Sequence, residues 1–156
     1  MELLDDTPLV KRCRFGSVVV SRYRGAVGVE DMDGEYAALR QAAALHGRVS
    51  SLALIDADSM TSPSGAVKTR AAELTRALGD ARLCGAIVLL GSSVSLRLMT
   101  YVLGAFHLLT GAGEKQGLFT DLDEAVRWVR SRPGQDATAL ALDANELRRT
   151  FGLAGS

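Results

Sequence analysis

An α/β fold, with a mostly parallel four- to five-stranded sheet and helices packed on it, is what this sequence predicts, and three observations carry the prediction. The run Cys84-Gly85-Ala86-Ile87-Val88-Leu89-Leu90-Gly91 is continuously apolar between turn residues, the pattern of a strand buried on both faces. Ile87, Val88 and Leu89 are therefore expected among the least exposed residues. Strand-like and helix-like segments alternate over short connections, which favours parallel strands joined by crossover helices. The chain has 156 residues, 47% hydrophobic and 23% charged, which suits one folded domain with one core.

The elements follow in order. Ser17-Val18-Val19-Val20-Ser21-Arg22-Tyr23 is a strand rich in β-branched and aromatic side chains, and Phe15-Gly16 can turn a hairpin before it. Leu9 to Arg14 is then an antiparallel edge strand, its Lys and Arg guarding the edge. Met32, Tyr36, Leu39, Ala43 and His46 recur at alternating spacings of four and three, which predicts a helix over 31–46 that Asp31 or Asp33 caps and Gly47 ends. Ser50 to Asp56 reads as a parallel strand. Ser62-Pro63 reads as an N-cap with proline at the first helical position, opening a helix that ends near Leu78.

After the central strand, Ser92 or Ser93 can cap a helix from Val94 to about Leu109; Gly117-Leu118-Phe119 is a short strand, and Thr120-Asp121-Leu122-Asp123 has the form of a capping box for a helix over 121–131. Pro133 stops that helix. The domain is thus expected over 9–132, with 133–156 as a linker and a short helix near 143–151, an appendage.

Eighteen Lys plus Arg balance eighteen Asp plus Glu, so no net field would hold nucleic acid or an anionic membrane. The apolar stretch Val94–Leu109 is broken by Arg97 and His107 and is too short for a membrane span, and the acidic start Met1 to Asp6 lacks the form of a signal peptide. A cytoplasmic location is expected. The two cysteines, Cys13 and Cys84, show no zinc spacing and read as buried thiols.

With these elements in place, the chain resembles the STAS superfamily, and within it the SpoIIAA-like, anti-sigma-factor-antagonist-like single-domain proteins of bacteria. The motifs are Gly117 to Val129, a strand-then-helix ending, and Leu52-Ala53-Leu54-Ile55-Asp56 followed by a Ser-rich loop and a helix opening at Ser64-Gly65; the order of elements matches over roughly 15–131. The resemblance implies a non-catalytic regulatory domain that binds a partner protein, kinase-like or another regulator. It also implies a phosphoacceptor in the loop before the second main helix. The antagonists read Asp-Ser-Ser-Gly there, with the first Ser as acceptor. This chain has Ser62-Pro63-Ser64-Gly65, with Pro63 at the acceptor position, leaving Thr61, Ser62 and Ser64 as the nearby hydroxyls. Capping is the plainer role for Ser62.

No complete catalytic constellation is legible. His46 ends a helix, where the dipole favours a cation, and His107 has no Cys or carboxylate at ligand spacing, so neither a metal nor a cofactor is expected. A phosphoaspartate receiver needs acids after its first strand, where this chain has Arg22-Tyr23-Arg24. The alternative function is small-molecule or anion binding, or a minor enzyme activity, at the strand ends. Asp56, Ser59, Ser92 and Ser93 would line that pocket.

The helix beginning at Val94 is apolar around most of its circumference. Its narrow polar arc is Arg97, Thr100, Gly104 and His107. Leu98, Val102, Ala105 and Leu109 suffice to cover the sheet, which leaves Leu96, Met99, Leu103 and Phe106 as a candidate surface for a partner or for self-association.

Overall fold

The computed structural model describes residues 1–98, 100 and 113–153. Six strands form one sheet in sequence order: β1 (Glu2–Asp6), β2 (Val10–Phe15), β3 (Val18–Tyr23), β4 (Val49–Asp56), β5 (Arg82–Leu90) and β6 (Gln116–Phe119). The first three strands pair antiparallel, and β3 through β6 pair parallel. The α/β class and the N-terminal hairpin are as expected. Gly16 turns that hairpin at φ +59°, a left-handed conformation in which its missing Cβ also makes room for Thr138.

The edge is not where the sequence placed it. β1 covers β2, and the basic residues expected to guard the edge pair across to it: Arg14 with Glu2, Arg12 with Asp5 at 3.2 Å and Lys11 with Asp6 at 3.9 Å. Three acid–base pairs in register hold an otherwise unpatterned acidic segment in the sheet.

Helices α1 (Val29–His46) and α2 (Gly65–Leu78) pack on one face. Consecutive right-handed crossovers between neighbouring parallel strands lead to this one-sided placement. Ala38, Leu39 and Ala42 of α1 are buried against Val19 and Val49. Gly28 precedes α1 and donates its N–H to the Asp31 carboxylate at 2.7 Å, so the helix starts two residues before the expected Asp31, which serves its first turn from within. α2 likewise departs from expectation. Its N-cap is Ser64, whose Oγ accepts from the Val67 N–H at 3.3 Å, and Ser62-Pro63 precede the helix.

The opposite face is covered by α3 (Leu122–Ser131), α4 (Ala137–Leu140) and α5 (Ala144–Phe151). Asp121 caps α3 through the Glu124 N–H at 2.7 Å, one residue later than the Thr120 expected from the capping-box form. Residues 133–153, expected as an appendage, complete the main core instead. Leu147 and Phe151 are 0% and 1% exposed and pack with Val18, Val20, Leu52, Leu54 and Val88. The domain therefore extends on both sides of the expected 9–132.

Val88 and Leu89 are fully buried, whereas Ile87 is half-buried because its side lines a cavity under α2. Cys13 and Cys84 are buried free thiols, and burial pushes both thiol pKa values up, so neither is a poised nucleophile.

Candidate functional site

The C-terminal ends of the parallel strands are where an open α/β sheet presents its ligands, and three loops meet there: 24–28, 57–64 and 91–92. Asp56 ends β4. Its carboxylate is gripped by Arg22, with Nε at 3.2 Å and Nη2 at 3.1 and 2.9 Å from its oxygens, and Arg24 lies 3.6 Å away. Ser59 accepts from the Gly25 N–H at 3.2 Å and donates to the Asp56 carbonyl at 3.1 Å. Its hydroxyl is committed to loop geometry.

Gly91-Ser92-Ser93 leads into a helical segment at residues 93–98. The chain supplies its own anion there: the Asp58 carboxylate accepts the Ser92 N–H at 3.0 and 3.1 Å and the Ser92 hydroxyl at 2.9 Å. Hydrogen bonds from the Ser95 hydroxyl and from Ser92 hold the Asp58 carboxyl below its usual range. Gly91 sits at φ +144°, and a Cβ there would press on Asp58 at 3.0 Å. Thus Asp56, Ser59 and Ser92 are neighbours, as the sequence suggested, but internal partners occupy them, and Ser93 stands exposed at the helix start.

The hydroxyl loop divides in two. Ser64 is consumed as a cap; Thr61 and Ser62 are exposed, with no hydrogen-bond partner among the described residues. The apolar surface also differs from expectation. Leu96 packs inward against the cluster of Val10, Tyr23, Ile55, Ala57 and Leu89, while Leu98, expected on the sheet, is 68% exposed and Val94 is 77% exposed. Met99, Leu103 and Phe106 lie outside the described residues, as do Gly104 and His107. The helical phase, set by the Asp58–Ser92 attachment, turns Leu96 to the core and Val94 with Leu98 to solvent.

His46 is exposed at the end of α1 with Nδ1 3.3 Å from Asp136. Among the described residues no group of three or more His, Cys, Asp or Glu is placed to hold a metal ion, and no described helix is long and apolar enough to cross a membrane.

Two features escaped sequence reasoning. Arg12, 3% exposed, joins Ser21, Glu35 and Asp5 on the α1 side of the sheet, and Tyr23 donates its hydroxyl to Glu35 at 3.0 Å. Burial drives the Tyr23 pKa well upward, so it stays a neutral donor. The second is a cavity of about 190 Å³ between α1, α2 and the sheet, walled by side chains such as Leu39, Ile55, Met60, Val67 and Leu74, with Ser51, Arg82 and Gln116 also lining it. Its only sequence signal is an arginine at the head of an apolar strand.

No protein-family model, curated protein or solved structure matches this chain.

Proposed function

We propose that this chain is a non-catalytic, STAS-like regulatory domain of the cytoplasm that docks a protein partner on the rim made by residues 57–64 and 91–98, with self-association as part of its behaviour. The observation that carries this reading is the pair Val94 and Leu98, one helical turn apart and 77% and 68% exposed. The polar groups beside them are already paired: Asp56 with arginines, Asp58 with Ser92. Beside the exposed Arg97 and the hydroxyls of Thr61, Ser62 and Ser93, apolar surface is what the rim offers a partner. Covering a Leu or Val is worth roughly 1.5–3 kcal/mol, so a partner that closes over both gains a substantial anchor.

Thr61 and Ser62 supply the regulatory half of the proposal. Met60 and Leu96 pack against the same buried cluster, which puts the hydroxyl loop beside the apolar pair. A phosphate on either hydroxyl would precede α2, whose first turn carries no acid and includes Lys68. The helix dipole and that lysine favour the added charge, and the rim gains negative charge without loss of the Ser64 cap.

The test combines Val94→Gln with Leu98→Gln, and separately Ser62→Glu. The double variant is expected to keep the wild-type melting temperature, lose captured partner and run at monomer mass in light scattering. Ser62→Glu is expected to change partner capture with the fold intact. Undiminished capture and mass in the double variant would remove the rim from consideration.

A further inference from the structure

We propose that the cavity between α1, α2 and the sheet binds a small amphipathic carboxylate, its hydrocarbon part against the apolar walls and its carboxylate on the guanidinium of Arg82. The inference is independent of the docking rim.

The anchor is built by an irregularity in β5. Arg82 and Cys84 face consecutive residues Val49 and Ser50 of β4, so Leu83 is an extra residue in the ladder. The bulge sends the Arg82 side chain over Gly85. The guanidinium Nη2 lies where a Cβ of residue 85 would stand, with the Ser51 hydroxyl 2.9 Å and the Gln116 carbonyl oxygen 3.0 Å from that same point. Glycine at 85 is what leaves room for the cation on the sheet surface.

Arg82 is 8% exposed, and its described partner is the side-chain carbonyl of Gln116, a neutral group. Other inward-turned arginines of this molecule have carboxylates: Arg12 has Asp5 and Glu35, and Arg22 has Asp56. Arg82 has none among the described residues, and burial lowers its pKa. A buried cation without a counterion is unfavourable, and an incoming carboxylate would relieve it with a two-point hydrogen-bond geometry.

The field at that end of the cavity has the same sign. Arg48, Lys115 and Arg132 surround the outer side of Arg82, together with Asp80 and Glu114. Lys115 is 3.9 Å from Asp80, while Arg132 contacts the Glu114 carbonyl and the Trp128 ring. The acid inside the cavity, Glu35, is held by Arg12, Ser21 and Tyr23, so its charge is already answered. Along the walls Met32 and Met60 give an adaptable apolar lining. At about 190 Å³ the space is smaller than the roughly 300–1,000 Å³ of drug-sized pockets, which selects a short hydrocarbon chain.

Octanoate, octanol and inorganic phosphate, each titrated into the full chain by calorimetry with the methionine methyls followed by NMR, test the proposal. Octanoate is expected to bind at least ten times more tightly than either of the others and to shift Met32 and Met60. In Arg82→Met that margin should vanish while the ligand-free melting temperature holds or rises, since a buried charge has been removed; Arg82→Gln gives the same comparison should the methionine variant not fold. Equal binding of octanol would eliminate the anchor. Equal binding of phosphate would eliminate the apolar site, and no binding of octanoate at millimolar concentration would overturn the proposal outright.

Discussion

Single residues in this molecule tie distant segments together, and Asp136 does so most densely. It caps α4 through the Ala139 N–H at 2.9 Å and accepts from the Ser17 hydroxyl at 2.7 Å and the Thr138 hydroxyl at 2.6 Å, with His46 at 3.3 Å. Burial alone would raise its pKa, but the Thr138, Ala139 and Ser17 hydrogen bonds and the charge of His46 bring it down to about 2. An unfolded aspartate titrates near ~3.9, so the unfolded chain takes up the proton first. Ionised Asp136 thus stabilises the fold above pH ~4, and that contribution drains as pH falls toward 2. With 36% of the side chain exposed, solvent screening keeps the effect modest. Thermal melts should show wild type above Asp136→Asn at pH 7 and the two converging between pH 4 and pH 2. Parallel melting curves over that range would deny Asp136 this role.

At the scale of elements, the legible parts of the sequence were those whose signal is local. The central strand announces itself by a continuous apolar run, and Val88 at its middle is 0% exposed between two paired strands. Val88→Asp buries a carboxylate with no partner, a change expected to cost more than ~4 kcal/mol and to leave no cooperative unfolding transition by circular dichroism. A soluble variant with a wild-type melt would contradict the observed register. Strand β1 was illegible because Glu2-Leu3-Leu4-Asp5-Asp6 has no apolar alternation; its strand character comes from Lys11, Arg12 and Arg14 on its neighbour. α2 starts two residues beyond the Ser62-Pro63 signal for a different reason. Ser62-Pro63 and Ser64-Gly65 are both sound local starts, and Pro63 lies on the cavity wall rather than in the first turn. Of the strand-end pocket read from the sequence, the closeness of Asp56, Ser59 and Ser92 follows from the order of strands, but the pairing of its charges does not, since Arg22 and Asp56 are separated by a whole helix in sequence.

For the whole molecule, the decisive fact is that the sheet is covered on its two faces by segments from different halves of the chain. α1 and α2 shield Val19, Val49 and Ile55, and α3 to α5 shield Cys13, Val18, Leu52 and Cys84. Residues 135–138 seal one margin of this second layer, where Gln135 bridges Ser50 at 2.8 Å and the Val129 carbonyl at 2.8 Å. Phe151 seals another, its carbonyl accepting from Arg22. The tail hides its role because Ala139, Leu142, Ala144 and Leu147 are spread through polar sequence, and their burial depends on a sheet face assembled from four remote strands. Ending the chain at Arg132 removes Ala139, Leu142, Leu147 and Phe151 from the core at a cost of several kcal/mol, against a total stability of roughly 5–15 kcal/mol for a domain. The shortened protein is expected to bind a hydrophobic dye, elute as aggregate and lack a sharp thermal transition. Were 133–156 a true appendage, the same truncation would melt like the full chain, and thermal unfolding of the two proteins side by side separates these outcomes.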